Sequence, residues 1–413
     1  MAVASSSAPR ILVLGGTGAV GGGVVERARE LGFAVTAAGR SALPASHVRE
    51  RLLDLGVPYA GVDLVGAQAE SQLAALLAHH DLVVLACEPW SEAEAGRSDA
   101  VASVVRFYDL ARSIGFDVAA NRARAERGES QRRIVRIGSS VAELPHALID
   151  GSTHGHPEDW VSQDALDALA NEDPYCAIPY FRAKSELARA ASEASHRGVD
   201  LVTALPTYVI SWWGDRGREE PLAQALRAAK RTGLVPSVPV NALPADVAAT
   251  GILLAGLVGR SGERYQLCGV ETDTHALHAL SLRHLGLHPR RLPVPRRELE
   301  DELRLLSGRR RTSPWLDLWL LPWDLWRRSL LRDHGVAAWH LAVMLEGSDR
   351  RGDKVRTLRW AFRRDSERAE LRYPEETEIR SRLEIAARRK MEWLETLGLP
   401  VDGASRRSAS ASV

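Results

Sequence analysis

The chain has 413 residues, 45% of them apolar and 26% charged, a composition that excludes disordered, collagenous and coiled-coil classes. Its length exceeds what one hydrophobic core usually organises, so a large domain with an added lobe is expected. With 54 basic against 53 acidic residues the formal charge is +1, which gives no overall attraction toward nucleic acid or an anionic membrane.

The opening MAVASSSAPR lacks a basic region followed by an apolar core, so no signal peptide is expected. No apolar run reaches the roughly 18 residues of a membrane span. Cys87, Cys176 and Cys268 lie far apart and show neither a disulfide framework nor a CxxC pair. They suit a reducing cytoplasm and read as small buried hydrophobes.

Residues 11–14, ILVL, form a short buried-type strand that runs into GGTGAVGGG at 15–23. VVERARELG at 24–32 follows as an amphipathic helix ended by Gly32. Strand, glycine loop and helix is the order that a dinucleotide site requires. Gly15 permits the tight turn, Gly18 lets backbone approach a pyrophosphate, and Gly21 lets helix and strand pack closely. Thr17, Ala19 and Val20 complete the cofactor-facing loop, with phosphate on the amino terminus of the helix.

The second strand, 33–40, ends in Arg40 with no acidic residue to grip a ribose 2′-hydroxyl, which favours NADP(H) over NAD. A third strand at 57–64 brings Asp63 to where it can accept a hydrogen bond from adenine. A fourth, within HDLVVLACEPW at 80–90, sets Ala86 and Cys87 against the cofactor. This alternation of short apolar strands with helical stretches predicts an α/β, Rossmann-type doubly wound parallel sheet.

Further along, RRIVRIGSSVAEL at 132–144 and YFRAK at 180–184 carry a Ser-Ser pair and a Tyr-x-x-x-Lys spacing. With the glycine loop before them, and GVDLVTALPTYVIS, LPADVAATGILLAG and GERYQLCG after them, the chain resembles the extended short-chain dehydrogenase/reductase superfamily. That superfamily includes epimerase/dehydratase proteins and 3β-hydroxysteroid dehydrogenase-like reductases. The resemblance covers about residues 10–285, and beyond 290 only MEWLETLG at 391–398 adds to it. It implies a catalytic serine at Ser140 in preference to Ser139, with Tyr180 and Lys184 as its partners. It also implies Pro206 beside the cofactor where the substrate lobe begins, and it assigns the 243–256 helix and the 262–269 strand to that lobe.

The chemistry accounts for these residue types. Tyr180 and Lys184, four apart on a helix, share a face, where an ammonium stabilises a phenolate and can also hold the nicotinamide ribose. The chain has only four lysines, Lys184, Lys230, Lys354 and Lys390, among its 54 basic residues, so a lysine at the motif position is informative. The family pattern is broken in three places. No asparagine falls in the helix around 98–111, the charged 120–133 segment reads as a solvated loop or helix end, and a long carboxyl-terminal extension follows.

His154, His156, Asp159 and Trp160 lie in a loop-rich stretch before Tyr180, where a His-x-His pair lacks a third ligand, so no metal is expected. Six tryptophans, Trp315, Trp319, Trp323, Trp326, Trp339 and Trp360, crowd the extension, and Pro322 interrupts the helical spacing. They are open to three readings: packing of the added lobe, a wall over an apolar substrate, or an interfacial surface over 315–339. The expected domains are a cofactor-binding domain at 1–205, a substrate lobe with the tryptophan-rich extension at 206–402, and a polar tail at 403–413.

Together these features predict an NADP(H)-dependent ketoreductase or dehydrogenase that acts on a hydrophobic or aromatic small molecule, such as one from secondary metabolism. The alternatives are a nucleotide-sugar epimerase/dehydratase and a non-catalytic NADP-binding regulator. No nucleic-acid partner is expected, and a homodimer is compatible with the sequence.

Overall fold

The computed structural model describes residues 8–66, 68–88, 98–143, 179–213, 229–230, 232–283, 286–293, 352–364 and 367–396. Its centre is a seven-stranded sheet in the order β3-β2-β1-β4-β5-β6-β10, with every neighbouring pair parallel. These strands are β1 (Ile11–Leu14), β2 (Val35–Gly39), β3 (Tyr59–Gly61), β4 (Leu82–Leu85), β5 (Arg133–Ile137), β6 (Leu201–Pro206) and β10 (Arg264–Leu267). The strand order reverses at β1, so the crevice for a ligand opens at the carboxyl ends of β1 and β4. The expected α/β doubly wound architecture is the one observed.

Strand alternation divides the core into two layers. Ile11, Val13, Leu82, Val84, Val135, Ile137, Val202 and Ala204 face one side, where α1 (Ala19–Glu30) and α2 (Ser46–Asp54) pack. Leu12, Leu14, Val83, Leu85, Ile134 and Leu201 face the other. That second layer is closed by α3 (Ala69–Ala78), α4 (Ser98–Ser113) and α7 (Pro179–His196), through residues such as Leu77, Phe107 and Leu187.

Helix α1 starts at Ala19, five residues before the expected position, because Gly21, Gly22 and Gly23 hide the apolar periodicity. Glycine inside a helix costs about 1 kcal/mol relative to alanine, and close packing offsets that cost here. A Cβ on Gly22 would lie 2.4 Å from the Trp213 ring. The predicted stop is correct, since Gly32 takes φ +83°.

Of the two expectations for the charged 120–133 segment, a solvated loop or a helix end, the structure shows the helix end. Residues Val118–Glu126 form α5, capped by Asp117, whose Oδ1 accepts from Ala120 N at 2.8 Å. Buried Asn121 donates to the Arg132 carbonyl and to Asp200, each at 2.7 Å, and Asp200 also pairs with Arg133 at 2.7 Å. A polar residue at the centre of the segment thus anchors it to the sheet.

Beyond β6 the chain forms a three-stranded sheet, β11-β9-β7, from β7 (Tyr208–Ile210), β9 (Pro239–Pro244) and β11 (Val270–Asp273). β8 (Leu234–Ser237) pairs with β12 (Arg290–Pro293). Helix α8 (Ala245–Val258) and β10 do not join this second lobe, as the resemblance implied, but return to the central layer. The reason is visible in α8, whose buried residues run all round it from Ala245 to Gly256. A helix that is apolar on every side must be covered on every side. It lies against α1, β5 and β6, and also against the hairpin of β13 (Arg359–Arg364) and β14 (Glu367–Arg372). The expected boundary at 205/206 is therefore crossed by residues 245–267.

Two further helices, α9 (Thr274–Arg283) and α11 (Glu376–Thr396), pack together, and the single turn α10 (Asp353–Arg356) precedes the hairpin. In that hairpin Trp360 stacks on Phe362 at 4.7 Å and meets Phe33 of the central domain at 5.3 Å. Trp360 is thus a packing residue, while the other tryptophans of the extension lie outside the described residues, as do His154, His156, Asp159, Trp160, Cys176 and the 403–413 tail. Among the described residues no helix is long and apolar enough to cross a membrane, and no cluster of metal-ligating side chains occurs.

Candidate active site

The glycine loop has the shape that its spacing predicts. Gly15 sits at φ +83°, where a Cβ would lie 2.6 Å from the Ala86 carbonyl oxygen. Gly21 is pressed against the same loop, its missing Cβ only 2.2 Å from the Gly15 oxygen. Gly18 is different, since a Cβ there would meet a single atom, the Gly15 oxygen at 3.3 Å. Two glycines therefore close the strand-to-helix turn, and the third leaves open backbone at the start of α1. The first-turn N–H groups there have no earlier acceptor within the helix, and no acidic side chain stands in that turn. This cradle fits a dinucleotide pyrophosphate.

Around the cradle, Thr17 packs near Gly39 at the end of β2, and Ser211 donates to the Ala19 carbonyl at 2.6 Å. Arg40 follows β2 as an exposed side chain. Beside it the Tyr59 hydroxyl donates to the Ser41 carbonyl at 2.7 Å. Asp63 is exposed after β3, with Oδ1 accepting from Val65 N at 3.2 Å and the rest of the carboxylate open. Ala86 and Cys87 adjoin Gly15 at the end of β4. Cys87 keeps some exposure, but burial, with Glu88 beside it, pushes its thiol up to about 12. Pro206 closes β6, and the next residue, Thr207, donates to Asn241 Oδ1 at 2.8 Å.

The carboxyl end of β5 delivers Ser139 and Ser140, and Ser140 begins the short helix α6 (Ser140–Glu143). Ser140 is fully buried, and its hydroxyl has no hydrogen-bond partner among the described residues. Ser139, by contrast, has its backbone N–H bound to Glu143 Oε1 at 3.1 Å. Tyr180 stands half-buried in the first turn of α7, one turn before Lys184, which is 5% exposed. Strand ends and helix thus bring Gly15, Ala86, Ser140 and Lys184 to the carboxyl side of the sheet, as expected for a site in this fold.

Sequence reasoning did not anticipate the charges behind this surface. Arg136 on β5 is fully buried and donates twice to Glu88, at 2.6 and 3.1 Å, and twice to Glu143, at 2.8 and 2.9 Å. Lys184 Nζ donates to Glu88 Oε2 at 2.8 Å. Burial pushes the Glu88 carboxyl up, but Arg136 and Lys184 pull it further down, below the usual carboxylate range. Tyr108 on α4 is also completely buried, its hydroxyl without a partner among the described residues and held well above the ordinary phenol value by burial. A signal did exist: in RIVRI the fourth residue is an arginine on a strand whose other inward positions are apolar.

Elsewhere, a groove of about 610 Å³ between α1, α8 and α11 is lined by Glu30, Trp212, Asp246, Arg382 and Arg389. Glu30 ends α1, so this groove lies at the opposite end of that helix from the glycine loop.

A scan of protein-family models finds no match, and no curated protein is similar in sequence. Solved structures share the fold. A nucleoside-diphosphate-sugar epimerase from Pseudomonas aeruginosa, PA4631, is 20% identical with a TM-score of 0.51, over 75% of this chain and 90% of its own. The yeast methylglyoxal/isovaleraldehyde reductase Gre2, complexed with NADPH, is 14% identical with a TM-score of 0.51, over 79% and 100%. The protein gox2253 is 15% identical with a TM-score of 0.53, over 95% and 99%. At these identities the likeness is one of fold, and the fold is that of the superfamily the motifs resemble.

Proposed function

We propose that the chain is a nicotinamide-dependent oxidoreductase that works on a carbonyl or alcohol carbon, with NADP(H) as its dinucleotide. The observation that carries this reading is the convergence of an open phosphate cradle at Gly18 with buried Ser140 and Lys184 at the same edge of the sheet. The first turn of α1 would hold the pyrophosphate, Arg40 a ribose 2′-phosphate, Asp63 the adenine, and Lys184 the nicotinamide ribose. Bound there, the dinucleotide supplies or accepts hydride, and the remaining chemistry falls to the chain. Tyr180 donates a proton to the carbonyl oxygen or takes it from the alcohol, next to the Lys184 ammonium. Ser140, whose buried hydroxyl lacks a partner among the described residues, holds the substrate oxygen.

The substrate class proposed is a hydrophobic or aromatic carbonyl compound, on the strength of the tryptophan-rich 315–339 segment. Likeness to the sugar-nucleotide epimerase fold supports a second reading, epimerisation or dehydration with the dinucleotide retained through the cycle. Fluorescence titration with NADPH and NADH tests the cofactor. Tighter NADPH binding that weakens by roughly tenfold in Arg40→Ala is expected, since a charge-assisted contact is worth about 1.5–3 kcal/mol. Equal affinities would overturn the NADP assignment, and dinucleotide retained through purification would favour the epimerase reading. In a screen of aliphatic and aromatic ketones with NADPH, turnover is expected to vanish in Tyr180→Phe. Unchanged turnover would remove Tyr180 from the chemistry.

A further inference from the structure

Glu88 is buried with a side chain 1% exposed, and the chemistry above gives it no task. Its two oxygens have little freedom. Arg136 holds them through Nε at 2.6 Å and Nη2 at 3.1 Å, and Arg136 is itself gripped by Glu143 at 2.8 and 2.9 Å. Glu143 is tied to the strand end through Ser139 N at 3.1 Å. Into this fixed pair reaches Lys184, whose ammonium donates to Glu88 Oε2 at 2.8 Å. Two cations and two carboxylates are thus paired directly in a buried cluster, and Arg264 of β10 adds a further positive charge near Glu143. An ammonium has three donors, so one bond to Glu88 leaves two for acceptors in front of it.

We propose that Glu88 is a positioning residue that fixes the Lys184 ammonium, charged and aimed, for the nicotinamide ribose and Tyr180. This inference rests on the cofactor site proposed above. Without the carboxylate, Lys184 would be buried near the Arg136 guanidinium with no counter-charge of its own, losing both its direction and its reason to stay protonated. Among the described residues, the groups that face Glu88 are Arg136 from β5, Lys184 from α7, Tyr108 from α4 and Cys87 beside it, with Glu143 of α6 across Arg136 and Arg264 of β10 near Glu143. Burial keeps the Tyr108 phenol and the Cys87 thiol neutral near neutral pH, so neither can replace the lost charge.

The test is a double-mutant cycle read by NADPH fluorescence across pH, with cooperative thermal unfolding as the check on folding. Glu88→Gln is expected to weaken NADPH binding by roughly tenfold, and Lys184→Met by a similar factor. The double variant should bind no more weakly than Lys184→Met alone, because Glu88 acts through Lys184. On the alkaline side, the affinity of Glu88→Gln should begin to fall at lower pH than that of the wild type. Glu88→Asp, which keeps the charge but withdraws it by one methylene, should bind weakly with the wild-type pH profile. It also replaces Glu88→Gln in the cycle if that variant does not fold. Losses that multiply in the double variant, or wild-type affinity and pH profile in Glu88→Gln, would overturn the inference while leaving the proposed function standing. A wild-type protein that binds neither dinucleotide would remove both.

Discussion

Arg136 occupies a strand position between Leu85 on β4 and Thr203 on β6, where the pattern of the layer calls for an apolar side chain. It is tolerated because Glu88 and Glu143 satisfy its guanidinium with four hydrogen bonds. Burial works against its charge, but Glu143 and Glu88 more than compensate, which keeps it fully ionised. The arrangement makes each member dependent on the others. Arg136→Met keeps an unbranched apolar side chain yet leaves Glu143 without its hydrogen-bonded cation, with only Lys184 on Glu88 and the Arg264 charge near Glu143, so a loss of about 3–5 kcal/mol is expected from urea unfolding. A loss below about 1 kcal/mol would mean that water reaches the cluster. At this scale motif spacing singled out Tyr180 and Lys184 as candidates and the family resemblance added Ser140, whereas nothing pointed to Glu88 and Glu143. They lie 48 and 7 positions from their shared partner Arg136, and no local pattern links them to it.

Elements were legible where their own periodicity spoke and hidden where packing overrode it. β1 matches its predicted span, while α1 begins inside the glycine run because Trp213 and Ala245, distant in sequence, are what make glycine favourable there. The three loop glycines should therefore separate by substitution. Gly21→Ala forces a Cβ to within 2.2 Å of a backbone oxygen and is expected to destabilise the fold by about 2 kcal/mol or more. Gly18→Ala meets one atom at 3.3 Å on a backbone of φ −84° and ψ 175°, which alanine accepts. It should keep stability within about 1 kcal/mol while blocking close approach of a pyrophosphate. Thermal unfolding and NADPH titration of the two variants check this, and equal stability losses would contradict the assigned packing. α5 was anticipated only in part for a related reason: a helix end with a solvated charged surface was expected, but buried Asn121 belongs to a hydrogen-bond set completed by Asp200, far along the chain.

Across the whole molecule, buried polar groups tie separate parts together. Glu26 on α1 accepts from the indole N–H of Trp212 at 2.8 Å and of Trp213 at 3.0 Å. It also pairs with Arg51 of α2 at 2.7 Å, and Arg389 of α11 approaches to 3.6 Å. Burial raises the Glu26 carboxyl, but Trp213, Arg51 and Trp212 together lower it below its ordinary value. In α9, burial pushes His278 down from 6.5 to about 4, and burial likewise lowers His80. All of these groups bind fewer protons in the folded than in the unfolded chain, so stability is complete above their unfolded values and falls with falling pH. For His278 the loss develops below about pH 6.5 and amounts to roughly 3 kcal/mol by pH 4. Above pH 5 the ordinary carboxylates contribute little, so the drop in unfolding free energy between pH 7 and pH 5 should shrink in His278→Gln. An unchanged slope would show that the imidazole is solvated.

By itself, the sequence determined the doubly wound sheet and the glycine turn between β1 and α1, and it singled out Ser140, Tyr180 and Lys184 as candidates. Most of this rests on short-range spacing, in apolar runs of strand length, glycines three apart, and a tyrosine and a lysine one helical turn apart, while Ser140 rests on the family resemblance. The tertiary structure alone decided that α8 and β10 complete the central layer and that Lys184 is gripped from behind by Glu88. The first follows because a helix apolar all round takes whatever two surfaces can cover it, and the second because a buried charge persists only where an opposite charge is brought to it through space.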